Sequence, residues 1–309
     1  MIRLLILTAS AFLAACALAP TDHNGVRAPR QSAIVALQSE RPLVALALGS
    51  GGARGFAHVG VIKALEDAGI VPDIVTGTSS GAVVAALYAS GRRAAEIEAI
   101  ALGIEKSDLV DFVLFGKGWV RGEALQDFVN RMVGNRPIEA LARPFAVVAT
   151  ESEHRRMTVF NRGDAGLAVR ASASVPDLFV PPVINGKEYV DGGLTSPVPV
   201  KLARAMGADV VIAVDVSWFA QARARSGDGM AQYSRRGRYV LLAEELDSAD
   251  VVIVPRTVRT RMLDFENKGA NIAAGEAAGR DAVPRLKELI ARIAEKKNGQ
   301  ECSVSSAEC

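Results

Sequence analysis

Histidine occurs three times in this chain, at positions 23, 58 and 154, and none follows Asp191. That scarcity removes the usual serine–acid–histidine order, in which imidazole comes last, from any hydrolase reading. A histidine supplied earlier in the chain by an unusual topology stays open. A strong charge excess is missing too: 36 Lys plus Arg face 34 Asp plus Glu, which argues against a dedicated nucleic-acid binder. Aromatic residues make up only 5% of the chain while Ala, Val, Leu and Gly abound, a composition suited to parallel sheets covered by Ala-rich helices. There are three cysteines, at 16, 302 and 309. Nothing around the last two supplies the activating base that a nucleophilic thiol needs. They form a small disulfide loop or remain two thiols on a tail, and both readings stand.

What is present begins with a leader. Residues 1–15 hold one basic residue, Arg3, and then an apolar stretch over 4–15 that is too short to span a bilayer. The layout is that of a signal peptide, and its end, L-A-A-C at 13–16, resembles the bacterial lipobox. Cys16 is the expected lipidation site, with an ordinary signal and an incidental cysteine as the alternative. Several acyl chains together anchor far more firmly than one. Ala17 stands where an aspartate would resemble an inner-membrane retention signal. The expected location is therefore the cell envelope: lipid-anchored, on the periplasmic side or surface of the outer membrane rather than the inner one. Residues 16–40 then read as the lipidated cysteine and a polar tether.

From residue 41 to 295 the pattern is that of one α/β domain. Apolar runs at 43–48, 73–78, 145–152, 156–160, 210–216 and 251–255 read as strands, and helical periodicity lies at 121–133, 164–173, 197–206 and 276–295. This alternation predicts a three-layer α/β/α sandwich around a mostly parallel sheet. Two short apolar runs around Asn185-Gly186 signal a hairpin over 184–193. Residues 100–144 carry amphipathic pieces without a strong strand and are expected as a helical insertion or cap. The Arg-rich stretch 218–239 is either a solvated loop or a contact with anionic lipid headgroups. Residues 296–309 are expected as a tail.

Three segments carry chemistry. In G-T-S-S-G at 77–81, Ser79 lies between a strand and a helix, flanked by Gly77 and Gly81. A strand forced directly into a helix puts the central serine at a strained, exposed apex. Its neighbour Ser80 is expected to cap the helix. In Y-V-D-G-G-L at 189–194, Asp191 is followed by Gly192 and Gly193, which let backbone approach closely. A carboxylate is a weak base in water, but partial desolvation and a direct hydrogen bond to a serine hydroxyl raise its basicity for that proton. A plain turn aspartate is the competing reading. In G-S-G-G-A-R-G at 49–55, between a strand and a helix, backbone amides can gather on an oxyanion. The stretch fits neither a dinucleotide fingerprint nor a P-loop, because the glycine frame fails at Arg54 and no G-K-[ST] follows.

Together with A-S-A-S-V-P at 171–176 and P-V-P-V at 197–200, these motifs resemble, in their order, the bacterial patatin-like phospholipases, a group with relatives of the catalytic domain of neuropathy target esterase. The resemblance runs from about residue 43 to about 216. It implies a Ser–Asp dyad of Ser79 and Asp191 and an oxyanion hole from the amides of Gly51, Gly52 and Ala53, supported by Arg54 and Gly55. The activity implied is hydrolysis of acyl esters of phospholipids or related lipids, with no metal and no cofactor. Ser50 replaces the first glycine of the family's three-glycine run. The rival reading is a catalytically inactive lipid-binding lipoprotein on the same fold.

Overall fold

The computed structural model describes residues 21–113, 118–217 and 237–305. The leader, Cys16, most of the Arg-rich stretch and Cys309 lie outside them, as does the side chain of Cys302. The strands are β1 Asp22–His23, β2 Val44–Leu48, β3 Ile74–Thr78, β4 Phe145–Glu151, β5 Arg156–Phe160, β6 Val183–Ile184, β7 Lys187–Val190, β8 Val210–Val214 and β9 Val251–Ile253. The helices are α1 Phe56–Asp67, α2 Ser80–Ala89, α3 Ala94–Gly103, α4 Glu123–Met132, α5 Ala165–Ala173, α6 Val200–Ala205, α7 Gly237–Asp247 and α8 Lys268–Ser305. Strands β4, β3, β2, β8 and β9 lie side by side and parallel, and antiparallel β5 and β7 join at β4. The sheet is therefore mostly parallel, as its apolar runs imply.

Each central strand is buried on both faces, and its alternate residues feed two separate cores. Val44, Leu46 and Leu48 of β2 point to the face covered by α1–α5 and α8, while Ala45 and Ala47 point to the face covered by α6 and α7. Small residues on the second face let α6 sit close. This period-two partition makes three layers from one continuous apolar run.

Several expectations change in detail. Residues 21–40 lie along the domain: β1 pairs with β6, Ser32 N–H donates to Asn161 Oδ1 at 2.8 Å, and Leu37 N–H donates to the Met206 carbonyl at 2.9 Å. The helix expected at 197–206 starts only at Val200, because the prolines at 197 and 199 supply no N–H and disfavour helix before them. The helical segment expected over 100–144 begins earlier, at Ala94, and Ile97, Ile104, Leu125 and Phe128 belong to the main core, so it is a wall of the domain. The C-terminal helix α8 continues through the expected tail to Ser305. Glu295, Lys296 and Lys297 favour helix, and Lys297 Nζ ties this end to Asp209 at 2.7 Å and to the Ser39 carbonyl at 3.0 Å. Among the described residues no helix is long and apolar enough to cross a membrane.

Candidate active site

The sheet register brings Ser79 and Asp191 to one place. Strand β5 occupies one edge of β4 over Val147–Glu151, so β3 and β7 must share the opposite edge in tandem. Strand β3 runs up that edge until Thr78 pairs with Val148, and β7 runs down it until Val190 pairs with Thr150. The next residue of each, Ser79 and Asp191, therefore arrives opposite Ala149 from opposite directions. Neighbouring strands sit about 4.8 Å apart, so two chains ending there leave their side chains as neighbours. Both residues are largely buried, and both line the same cavity.

Ser79 sits at φ 55°, ψ −124°, a left-handed conformation that costs a non-glycine residue about 1–3 kcal/mol. It is the N-cap of α2, with the positive end of the helix dipole behind it. What holds the strained residue is a side chain the motif reading missed. Ser172, fully buried at the end of α5, accepts a hydrogen bond from Ser79 N–H at 2.8 Å and donates to the Val148 carbonyl at 2.5 Å. The hydroxyl is thus wedged into the β3–β4 ladder where β3 leaves it. Two residues later, the Ser174 carbonyl accepts from Asp191 N–H at 2.8 Å. One short segment therefore positions the serine and the aspartate together. The only sequence signal for it was A-S-A-S-V-P, which carries no chemistry of its own.

Asp191 is held at three points. Its carbonyl accepts from Thr150 Oγ1 at 3.0 Å, its N–H is taken by Ser174, and its Oδ1 accepts from Gly193 N–H at 2.7 Å. The turn-aspartate reading and the site reading thus describe the same carboxylate: it caps the 3-10 turn Gly192–Leu194 and lines the cavity. A Cβ on Gly192 would lie 2.1 Å from the Val148 carbonyl oxygen, so only glycine permits this approach to β4. Gly81 likewise presses on the end of β2, where a Cβ would meet the Leu48 carbonyl at 2.2 Å. Gly77 packs against Ala82, and Gly55 against Ser80, which locks the serine turn to the glycine loop. Ser80 is not the cap expected of it. It is the first residue of α2, and its buried Oγ has no hydrogen-bond partner among the described residues.

In the loop, Gly49 N–H donates to Val214 and Ser50 N–H to Pro197. Ala53 N–H donates to the Met262 carbonyl at 2.8 Å. The expected use of the Ala53 amide on an oxyanion is therefore corrected: it is already engaged by the loop before α8. The N–H groups of Gly51 and Gly52, both lining the cavity, carry no hydrogen bond among the described residues. Arg54 Nε donates to the Val216 carbonyl at 2.8 Å, pinning the loop to the exit of β8. Burial pulls the Arg54 pKa down, against the opposing pull of Asp215.

None of the three histidines lines the cavity. His58 is fully buried in α1 with Nε2 at 2.8 Å from the Gly49 carbonyl, and burial pulls its pKa down to about 4. The imidazole is thus neutral, with Nε2 donating to the strand end that carries the loop. His154 is on the exposed β4–β5 turn, 2.7 Å from Glu151. Glu151, Glu153 and His154 are the one group with metal-donor spacing among the described residues, but Arg156 and Lys187 already face Glu151.

The cavity has a volume of about 370 Å³. Its polar end holds Ser79, Asp191 and the glycine loop, and the rest, Ser80 and Ser217 aside, is apolar. Ser80, Val83, Val84 and Leu87 of α2 face it, as do Ile97, Ile100, Ala101 and Ile104 beside them. Each set follows the spacing i, i+3, i+4, i+7, one helix face running about 10 Å at 1.5 Å per residue.

The family model for patatin-like phospholipase matches residues 46–204. The chain belongs to the patatin-like phospholipase family. The matched stretch contains the glycine loop, the serine turn and Asp191. An uncharacterised NTE-family protein of Mycobacterium tuberculosis is 37% identical over 192 residues, 61% of this chain and 53% of that protein. Human patatin-like phospholipase domain-containing protein 6 is 37% identical over 182 residues, 56% of this chain but 13% of the human protein. The chain thus spans about half the length of the mycobacterial relative. Among solved structures, VipD from Legionella pneumophila superposes with a TM-score of 0.53 at 15% identity, covering 82% of this chain and 67% of that one. At that identity the likeness concerns the patatin-like fold alone.

Proposed function

We propose that this patatin-like protein is a serine acyl hydrolase that cleaves the ester bonds of phospholipids or related acyl lipids. The observation that carries the reading is the convergence of Ser79 and Asp191 on one β4 edge position, at the polar end of an apolar cavity. In this mechanism Asp191 accepts the Ser79 hydroxyl proton as the oxygen attacks the ester carbonyl. The N–H groups of Gly51 and Gly52 receive the oxyanion, and each such donor is worth about 10²–10³ in rate. The tetrahedral intermediate collapses to an acyl-enzyme, and the departing alcohol takes the proton from Asp191. Water, deprotonated by the same carboxylate, then releases the fatty acid and restores Ser79. The acyl chain occupies the cavity between α2 and α3, where its burial contributes roughly 0.8 kcal/mol per methylene.

Two replacements test this. Ser79→Ala abolishes both hydrolysis of a p-nitrophenyl acyl ester and labelling by a fluorophosphonate. Asp191→Asn lowers turnover by more than about 10³, since an amide cannot take the proton. Undiminished turnover in Asp191→Asn would overturn the assignment. The anchor is part of the same proposal: lipidation at Cys16 would hold the enzyme at the cell envelope, beside its substrate. Its test is incorporation of labelled palmitate in the wild type and none in Cys16→Ser.

A further inference from the structure

The stretch P-V-P-V at 197–200 supplies no reacting group, yet three elements of the site are fastened to it or to the residue before it. The Pro197 carbonyl accepts from Ser50 N–H of the glycine loop at 2.9 Å. The Ser196 carbonyl accepts from Thr78 Oγ1 at 2.9 Å, and Thr78 is the residue before Ser79. The Pro199 carbonyl accepts from Thr76 Oγ1, two residues back on the same strand, at 3.0 Å. Ser196 N–H in turn donates to the Gly192 carbonyl at 2.9 Å, closing the turn that begins at Asp191. Residues 196–199 therefore touch the strand that delivers the serine, the turn that carries the aspartate and the loop of amides. The two prolines suit this role. Neither has an N–H of its own to satisfy, so the segment can lie beside β3 and offer it acceptors. Thr76 and Thr78 are fully buried, and the period of two puts both hydroxyls on one face of β3.

What holds this segment in turn is an acid on another helix. Glu245 of α7 is buried, and its carboxylate reaches both ends of the segment. Oε1 accepts from Ser196 Oγ at 2.6 Å, and Oε2 accepts from Lys201 N–H at 2.8 Å. The first N–H groups of a helix have no partner within it, and Pro199, the N-cap of α6, has no side chain to give them one. Glu245 fills that place from 44 residues along the chain. A buried carboxylate is costly unless its oxygens are satisfied, and both oxygens here are spent on the one segment that joins the parts of the site. The family match ends at residue 204, so this acid lies outside the matched stretch.

We infer that Glu245 is a positioning residue for the proposed Ser79–Asp191 pair, holding residues 196–201 where Thr78, Gly192 and Ser50 can take their places against them. The inference rests on the reading of Ser79 and Asp191 as the reacting groups. Glu245 does not line the cavity, so it acts on those groups only through this segment. The Thr78 hydroxyl and the Ser50 amide bond to carbonyls whose placement the carboxylate fixes. Its loss therefore lets the end of β3 and the glycine loop shift relative to the aspartate turn. A misplacement of about 1 Å between reacting groups is enough to cost about 10² in rate.

Three replacements in the full chain test this by steady-state hydrolysis of a soluble acyl ester, each with a thermal melt to show that the variant is folded. Glu245→Met keeps an unbranched side chain of similar length but accepts neither hydrogen bond. Its kcat falls roughly 10- to 100-fold while KM stays within about threefold. Glu245→Gln keeps kcat within about threefold of the wild type, because its oxygen can take Lys201 N–H while the Ser196 hydroxyl turns to accept from its amide group. Ser196→Ala retains the carbonyl that Thr78 uses but loses the link to Glu245, and kcat falls by about threefold or more. A merely structural role shows differently: a lowered Tm and, through Leu242 of the same helix on the cavity wall, a raised KM at unchanged kcat. That result overturns the inference, as does an equal loss of kcat in Glu245→Gln and Glu245→Met. If Glu245→Met does not fold, Ser196→Ala decides, and an unchanged kcat there overturns it. Failure of the wild type to turn over the ester would instead count against the hydrolase reading. Amide hydrogen exchange over residues 49–55 and 74–80 then decides on Glu245: faster exchange in Ser196→Ala than in the wild type supports its hold on both elements, and unchanged exchange overturns it.

Discussion

Replacing Ser172 by alanine removes one hydroxyl, far from Ser79 in sequence, and tests whether that hydroxyl holds the strained backbone of the proposed nucleophile. In the native protein that hydroxyl accepts from Ser79 N–H and donates to the Val148 carbonyl, and all three groups are buried. Ser172→Ala leaves an amide donor without a partner at about 1–3 kcal/mol, a cost concentrated on the left-handed conformation that Ser79 must adopt. Relaxation of that residue toward ordinary backbone angles re-aims Oγ, the attacking atom of the proposed mechanism. At about 1.4 kcal/mol per factor of ten, kcat falls roughly 10- to 100-fold. In the proposed mechanism substrate affinity comes from the cavity walls of α2 and α3, so KM moves by less than about threefold. Loss of the same hydrogen bonds lowers Tm by roughly 2–4 °C per kcal/mol in a domain of this size. The assay is steady-state hydrolysis of a soluble acyl ester with a parallel thermal melt. A variant with a lowered Tm but an unchanged kcat would refute the reasoning, because Ser172 would then stabilise the fold without positioning Ser79 for reaction.

Two further outcomes follow from the same coordinates. His58 is neutral and fully buried with its pKa lowered to about 4, against about 6.5 in the unfolded chain, so the unfolded state binds the extra proton first on acidification. Its contribution is complete above about pH 6.5 and is lost as pH falls toward 4, by about 3 kcal/mol at most. Urea unfolding midpoints measured between pH 7 and 4.5 should drop less in His58→Gln than in the wild type. Leu87→Trp fills the cavity about 10 Å along α2 from Ser80, so kcat/KM should fall more than tenfold for long-chain acyl esters and stay unchanged for a butyryl ester. Competition between the two esters in one reaction measures that ratio directly.

Much of this protein was legible without coordinates, and for local reasons. Val, Ile, Leu and Ala runs bounded by glycine or polar residues can only be strands buried on both faces, which is why β2, β3, β4 and β8 were readable. The serine turn was readable because a glycine on each side of Ser79 serves a backbone that must reverse from strand to helix in one residue. Local signals say nothing of who shares a strand edge. The convergence of Ser79 and Asp191 opposite Ala149 depends on β3 and β7 taking successive stretches of the same β4 edge, a fact of pairing between distant segments. For the same reason a buried serine in a small-residue stretch gave no hint that its hydroxyl holds the Ser79 amide. Nor could the loop sequence tell which of its amides were spoken for, since the Ala53 amide is taken by a carbonyl from the far end of the chain. Residue types and their spacing determined which groups could react, and only the packed sheet decided which of them meet.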